Sequence, residues 1–440
     1  MLRYFYLLST LLLFLLVKNN LSAQKLLIVN GGIFGSSDYA NVAIYDIANA
    51  NYTVIDTIFV NSVQDVFIEN DSFAYVAAQD SIIKYNLITG DRLAATAFNA
   101  PSTVRLKVWQ NKLLVGNWYA PFGFSGTYTN NFRLFDKQTL TYLDSIPQVT
   151  KGATDFVIVN DTAYIAQNTN DASTNFEDAQ GYLSVVDLQN NLFVRNDTLN
   201  TQGYDLGRMV LIDAQIATVN RVSNTISYYN TANPSQKSTV MADANADLQP
   251  VLAGGTIYKD TLDNYFFPFN DAIGSYNLVD NSIAQANIVQ HGQTVPFSTA
   301  FAYTVDNINH FFYLSKIFYS NQSANYGVVY DYQGDSVATF PVGYSPEVIA
   351  IFGLQQPIAV QKVTNSLQVS IFPNPATDFI NVQTPNSTLN GKQWFLYSSE
   401  GKILQSGLIS DNFQLSINHL PQGIYWFQAA NLPLKAIFKQ

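Results

Sequence analysis

The 440-residue chain contains no cysteine, three histidines and three methionines, and only 12% of its residues are charged. The absence of cysteine excludes disulfides, thiol nucleophiles and cysteine-ligated metals. His291, His310 and His419 are widely scattered and lack metal-ligand spacing. There is no Gly-x-Ser-x-Gly elbow and no phosphate-binding P-loop. Lys and Arg number 22 against 32 Asp and Glu, a net charge of −10, and no basic cluster stands out. Phosphate binding needs local positive charge, so nucleic acid is excluded as a partner. What remains is apolar and aromatic: 48% hydrophobic residues, with 30 Phe and 27 Tyr. That content buries a large core and suits β-structure, which favours aromatic and β-branched side chains.

The first 23 residues read as a secretory signal peptide. Arg3 supplies the positive start, and Tyr4 to Val17 form an apolar run shorter than the ~20 residues a membrane span needs. Lys18-Asn19-Asn20 break the run, and Ala23 offers a cleavage site before Gln24. No other stretch is long and apolar enough to span, so the chain is expected to leave the cytoplasm without a transmembrane segment.

One pattern then recurs seven times: a short apolar strand ending in Asp or Asn. The seven acidic or amide positions are Asp46, Asn86, Asp136, Asp187, Asn230, Asn277 and Asp331, spaced 40, 50, 51, 43, 47 and 54 residues apart. Periods of that length containing several short strands predict propeller blades. Within each unit a tight polar turn, such as Asn70-Asp71 or Asn160-Asp161, separates the first two strands. The N-terminal unit lacks an inner strand, whereas Glu347–Phe352 is left over after the seventh. Pairing the two would close a seven-bladed ring and remove its exposed edges. The propeller is expected over 24–354.

The stretch Ser336-Val337-Ala338-Thr339-Phe340-Pro341-Val342-Gly343-Tyr344-Ser345-Pro346-Glu347 resembles the YVTN repeat of the secreted YncE-like propellers. The resemblance extends more weakly from Leu26 to Phe352. It implies a non-enzymatic periplasmic or surface protein, some relatives of which bind nucleic acid or small ligands. Relatives on bacterial surfaces that capture corrinoids supply an alternative reading.

After a linker at 355–368 the rhythm changes. Seven short strands are suggested over 369–440, separated by turn signals, as in a small Ig-like β-sandwich. Ile371 to Asp378, with Pro373-Asn374-Pro375, resembles the opening of the type IX secretion C-terminal sorting domain, type A. Gly401-Lys402 resembles its central turn, and Leu420 to Tyr425, with Gly423, its penultimate block. The resemblance implies engagement of the type IX machinery, then release or attachment at the outer cell surface. Phe372 departs from the usual Tyr. This domain carries Lys392, Lys402, Lys435 and Lys439 against Asp378, Glu400 and Asp411, so the acidic excess belongs to the propeller.

No catalytic residue, metal site or cofactor is identified. Aligning the inner strands places Asp65, Arg105, Asp155, Arg208, Gln249, Thr299 and Glu347 around one mouth of the central channel. Such a ring suits a polar small ligand, or equally a set of ion pairs that closes the channel. Loops on the same face carry Trp118, Tyr119, Phe122, Phe124 and Tyr128, and Phe318, Tyr319 and Tyr326. Aromatic loops bind sugars, flat rings or proteins, or pack on one another as a lid. Asp171, Glu177 and Asp178 lie in an acidic stretch without EF-hand spacing, which reads as a solvated loop. The pair Asp260 and Asp263 could do acid–base work only if they met in a cleft.

Seven Asp-Ser/Thr steps followed by a small or aliphatic residue, among them Asp56-Thr57, Asp144-Ser145, Asp197-Thr198 and Asp335-Ser336, resemble a bacterial O-glycosylation signal. Turn aspartates followed by β-formers generate the same pattern. The expectation is a secreted or surface-displayed all-β binding protein without catalysis. Capture of a small molecule is the alternative, and a hydrolase or lyase using channel-mouth carboxylates ranks below both.

Overall fold

In the computed structural model the described residues are 24–353 and 370–440, apart from 34, 80, 98–102, 118–130, 169–180, 201–205, 222, 250–255, 261–263, 291–301, 319–324, 384–389, 399–401, 411–412 and 430–434. The signal-peptide segment, the linker, the acidic stretch with Asp171, Glu177 and Asp178, and His291 therefore lie outside them. The chain divides into two compact units between Gln356 and Pro357.

The first unit is a seven-bladed propeller of four-stranded antiparallel sheets. Blade 1 consists of Pro346–Phe352, Lys25–Asn30, Ala40–Asp46 and Asn51–Ile58, from the axis outward. The late strand Pro346–Phe352 pairs antiparallel with Lys25–Asn30, so the two ends of the propeller close the ring as the leftover strand predicts. Blades 2 to 7 begin at inner strands Asp65–Glu69, Thr103–Trp109, Gly152–Val159, Arg208–Ile212, Tyr258–Lys259 and Tyr303–Asp306, and each runs outward in sequence order.

The core lies in the seams between blades. Leu27, Val42, Val76 and Ile83 fill the seam of blades 1 and 2, and Leu114, Phe132, Phe156 and Ile165 that of blades 3 and 4. Comparable clusters fill the other five seams. Second strands such as Lys25–Asn30, Phe73–Ala78 and Lys112–Asn117 are buried on both faces, hence their unbroken apolar runs. Each fully buried aliphatic side chain contributes about 1.5–3 kcal/mol.

The repeated Asp or Asn has one job in every blade. Its side-chain oxygen accepts backbone N–H groups two or three residues on, closing the turn into the outer strand. Asn86 takes Ile88 and Thr89, Asp136 takes Gln138 and Thr139, and Asp187 takes Gln189 and Asn190. Asp46, Asn230, Asn277 and Asp331 act alike. A short side chain with a carbonyl-type oxygen reaches back this way better than a hydroxyl, which suits the interchange of Asp and Asn at this position. Asn70, Asp71, Asn160, Asn270 and Asp271 have positive φ values of 53–57°, as two-residue hairpin turns require.

The second unit is a small sandwich. A sheet of Ser370–Phe372, Phe379–Gln383 and Phe413–Ser416 faces one of Ile403–Leu408, Gln393–Tyr397, Gly423–Ala429 and Lys435–Lys439. Ile380, Leu396, Ile417, Phe427 and Ile437 form the core between them. The Pro-Asn-Pro segment is tied to the last strand: Asn374 Nδ2 donates to the Ala436 carbonyl and its Oδ1 accepts from Phe438 N, both at 2.8 Å. Pro373 and Pro375 flank it in cis peptides. Tyr425 hydroxyl donates to the Pro421 carbonyl at 2.7 Å, closing the penultimate block on itself. Lys402 and Ser398 close the central turn, Gly401 lying outside the described residues.

Candidate functional site

Four of the seven predicted channel residues converge. Asp65, Arg105, Asp155 and Arg208 lie at or near the start of the inner strands of blades 2 to 5 at matching register, opposite Ala77, Gly116, Ala166 and Val219 of their second strands. Successive side chains alternate across a strand, so matching register points all four the same way. Arg105 Nε donates to Asp155 Oδ1 at 2.9 Å, and one terminal nitrogen donates to Asp65 Oδ1 at 3.1 Å. Each carboxylate also accepts a backbone N–H from the next blade: Asp65 from Leu106 at 2.8 Å, and Asp155 from Met209 at 3.0 Å. Asp155 takes Phe156 N as well. Arg208 donates to the Thr154 carbonyl at 3.3 Å.

The cluster is closed to water: Asp65 is 4% exposed, Arg105 5%, Asp155 0% and Arg208 1%. Burial penalises every charge in it, and the partners decide the outcome. Burial opposes ionisation of Asp155, yet Arg105, Lys107 and Arg208 together hold it far below the usual carboxylate range. Asp65 has fewer donors, and burial pushes it up despite Arg105 and Arg208. Arg208, desolvated and beside Arg105, is pushed down to about 10. Such a network is strongly interdependent, because removing one member strands the others.

The register was legible but not all of its members. Lys107 lies two residues beyond Arg105 on the same face, with Nζ 3.5 Å from Asp155 and over the Phe156 ring. The period-2 rule finds it once Arg105 is placed. Tyr258 and Tyr303 of blades 6 and 7 also sense the cluster's charge, and no sequence signal marks them.

The other three predictions part company with the cluster. In blade 1 the residue at matching register is Val348, opposite Val29, because a bulge absorbs Glu347. Glu347 instead accepts the Val63 amide at 2.5 Å, with Ser62 and Ser345 hydroxyls at 3.5 Å. A Cβ at Gly31 would stand 2.2 Å from its Oε1, so the missing side chain there makes room for the carboxylate. Burial without a nearby cation pushes Glu347 up to about 7. Gln249 is partly exposed and bonds locally, to Asp247 and to the Asp271 amide. Thr299 lies outside the described residues.

Trp118, Tyr119, Phe122, Phe124, Tyr128 and Tyr319 also lie outside the described residues. Phe318 and Tyr326 stack with ring centroids 6.0 Å apart, and Tyr326 is 40% exposed. Sequence reasoning passed over Tyr39, Phe59 and Tyr344. Phe59 is 79% exposed and meets Tyr39 edge-on at 5.3 Å. All five residues sit where second strands end and third strands begin, or where outer strands lead to inner ones. They therefore share the end of the propeller at which the charged residues enter.

Asp260 is partly buried beside Ser275, while Asp263 lies outside the described residues. His310 packs on Tyr332, and His419 pairs with Gln405 in the second unit. Three of the Asp-Ser/Thr aspartates, Asp56, Asp144 and Asp197, tie blades together. Asp56 receives Tyr85 hydroxyl at 2.7 Å and Arg92, and Asp197 receives Tyr229 hydroxyl at 2.8 Å and Arg195.

Residues 370–439 match the family described as the secretion system C-terminal sorting domain. No curated protein matches the chain. Among solved structures, a quinonprotein alcohol dehydrogenase-like protein from Bacteroides thetaiotaomicron is similar at 13% identity and TM-score 0.53, over 76% of this chain and 79% of that one. A periplasmic gluconolactonase from Pseudomonas aeruginosa is similar at 11% identity and TM-score 0.52, over 75% and 99%. A protein of unknown function from Desulfotomaculum acetoxidans gives the same identity, score and coverage. At these identities the likeness establishes the propeller fold alone. The sorting domain marks the chain for type IX export, to the cell surface or the medium.

Proposed function

We propose that this type IX cargo is a recognition protein whose propeller binds a partner through its loop face, without catalysis. One contrast carries the reading. At that end the charged residues are buried and satisfy one another, whereas Tyr39, Phe59, Tyr326 and Tyr344 stand exposed. Carboxylates locked to a buried guanidinium are poorly placed to exchange protons with substrate. Exposed aromatic rings on a rigid scaffold supply contact area at low entropic penalty. The YncE-like repeat at Ser336–Glu347 supports the same non-enzymatic reading, as does export beyond the outer membrane.

The test is a binding screen of the mature full-length chain against glycan and surface-protein arrays, with thermal-shift measurements against corrinoids. A ligand at a hundred times its Kd adds about 2.7 kcal/mol to stability, a clear rise in midpoint. We expect an array hit that Phe59→Ala with Tyr344→Ala weakens tenfold or more. A hit indifferent to that pair but abolished by Lys107→Ala would move the site to the channel and sink this reading.

A further inference from the structure

We infer that the exposed aromatics of the ring-closing seam form a subsite for a neutral sugar, held in place by Glu347; this deepens the recognition reading and rests on it. Three chain segments meet at the seam. Residues 31–39 bring Tyr39, residues 59–63 bring Phe59, and residues 344–347 bring Tyr344. Gly31 N donates to the Ser345 carbonyl at 2.7 Å and Gly32 N to the Tyr344 carbonyl at 3.2 Å, while Ala40 N donates to the Val60 carbonyl at 2.8 Å. Asn61 Nδ2 adds bonds to the Ile33 and Asp38 carbonyls, at 3.2 and 3.3 Å. The three aromatic residues therefore stand on segments tied to one another, not on independent loops.

Their surroundings name the ligand class. Gln79 N donates to Gln64 Oε1 at 2.7 Å, and Asn61 N donates to Gln79 Oε1 at 3.4 Å. Gln79 is exposed and Asn61 partly so, and Gln79 Nε2 and Asn61 Oδ1 have no partner among the described residues. A neutral donor and a neutral acceptor thus accompany the edge-on pair of Tyr39 and Phe59. A sugar ring carries hydroxyls around its rim and C–H groups on its faces, and C–H groups settle against the negative face of an aromatic ring. Asp38 is the only charged residue on the three segments besides Glu347, and the chain's net charge of −10 disfavours an anionic glycan. A protein partner needs about 800 Å² on each side, more than three rings and two amides supply.

Glu347 is the positioning residue. Its Oε2 accepts Val63 N at 2.5 Å and the Ser62 hydroxyl at 3.5 Å, and its Oε1 takes the Ser345 hydroxyl at 3.5 Å in the space that Gly31 leaves. One carboxyl therefore touches all three segments, and Gln64 Nε2, bonded to Ser62 at 2.7 Å, links it to the amides of the subsite. The titratable residues on the elements around it are Asp38, Tyr39, Tyr344, Asp65, Tyr303 and Lys316. Asp65 is committed to Arg105, Tyr303 donates to the Thr256 carbonyl and Lys316 lies over the Tyr330 ring, so the amide and the two hydroxyls are what the carboxyl meets. Burial pushes Glu347 up to about 7. Its contribution to order at the seam is complete below the unfolded value of 4.5 and is lost as pH rises through about 7, so sugar affinity falls in the same interval.

The experiment applies the mature full-length chain to an array of neutral, sialylated and sulfated oligosaccharides, then titrates the strongest neutral binder by calorimetry at pH 6 and pH 8. Neutral oligosaccharides alone are expected to bind, about threefold or more weaker at pH 8 than at pH 6. Phe59→Ala and Gln79→Ala should each weaken binding about tenfold with the thermal midpoint unchanged, whereas Tyr142→Ala, an exposed ring on an outer strand, should leave it as it was. Glu347→Gln keeps an acceptor for Val63 and should bind alike at both pH values, while Glu347→Ala weakens binding at both. A pH slope that persists in Glu347→Gln overturns the role of Glu347. Binding confined to anionic glycans, or neutral binding indifferent to Phe59→Ala and Gln79→Ala, overturns the subsite. If no glycan binds but a surface-protein hit is weakened by Phe59→Ala with Tyr344→Ala, the sugar falls and the recognition reading stands. Silence on both arrays overturns both.

Discussion

Two carboxylates at the same end of the propeller meet opposite fates. Asp155 and Glu347 both lie near the start of an inner strand and both accept a backbone N–H from outside it, Asp155 fully buried and Glu347 partly so. Asp155 faces a guanidinium and an ammonium and stays ionised into strong acid. Glu347 faces two hydroxyls and an amide, which do not offset its burial, and rises to about 7. Burial pushes both upward; Arg105, Lys107 and Arg208 acting together on Asp155 reverse the sign there. One-residue bulges place Arg105 and Asp155 toward the axis, and another diverts Glu347 into a seam.

The difference can be broken most forcefully at Arg105. Arg105→Ala strands two buried carboxylates, and we expect the propeller to lose about 3–5 kcal/mol in chemical denaturation. A loss below 1 kcal/mol would show that the cluster is not the interlocked unit its geometry indicates. Next comes the pH dependence of the seam. The native Glu347 carboxyl binds its proton more tightly than the unfolded one, so its contribution is complete below pH 4.5 and lost as pH rises through about 7. Asp155 works in reverse: its contribution is present above the unfolded value of 3.8 and fades only on acidification below it. Glu347→Gln should therefore flatten the stability profile between pH 5 and 8 by about 1–2 kcal/mol, discounted because the side chain is partly exposed. An unchanged slope would contradict the raised value.

Two smaller effects sharpen the contrast between axis and rim. Tyr85→Phe removes the hydroxyl bond to Asp56 but leaves Arg92 in place, so about 1 kcal/mol should be lost in the same denaturation assay. Asp136→Ala deletes an exposed turn bond beside solvent that can replace it, and about 0.5–1 kcal/mol is expected. If either rim change exceeded the loss from Arg105→Ala, the axis would not be the mechanical centre of the ring.

Much of the fold was legible because it repeats. The Asp or Asn ending each third strand must close a turn, and seven such residues at blade spacing count the blades. The leftover strand announced ring closure, because an inner strand missing at one end and spare at the other has one economical pairing. Blade 6 was less legible: its inner strand is reduced to Tyr258–Lys259, with Leu248 bridged separately to Phe269. The motif blocks of the sorting domain were readable, but the work of Asn374 in clamping the last strand was not, since its partners lie more than 60 residues away.

Local chemistry thus dictated strand, turn and blade number, for these depend on residues a few positions apart. Which side chains meet at the axis depends on register, and a bulge of one residue reverses a side chain's face. Linear spacing carries no mark of such a bulge, so Asp155 and Glu347 look alike along the chain. Their different charge states arise only when strands distant in sequence are laid side by side.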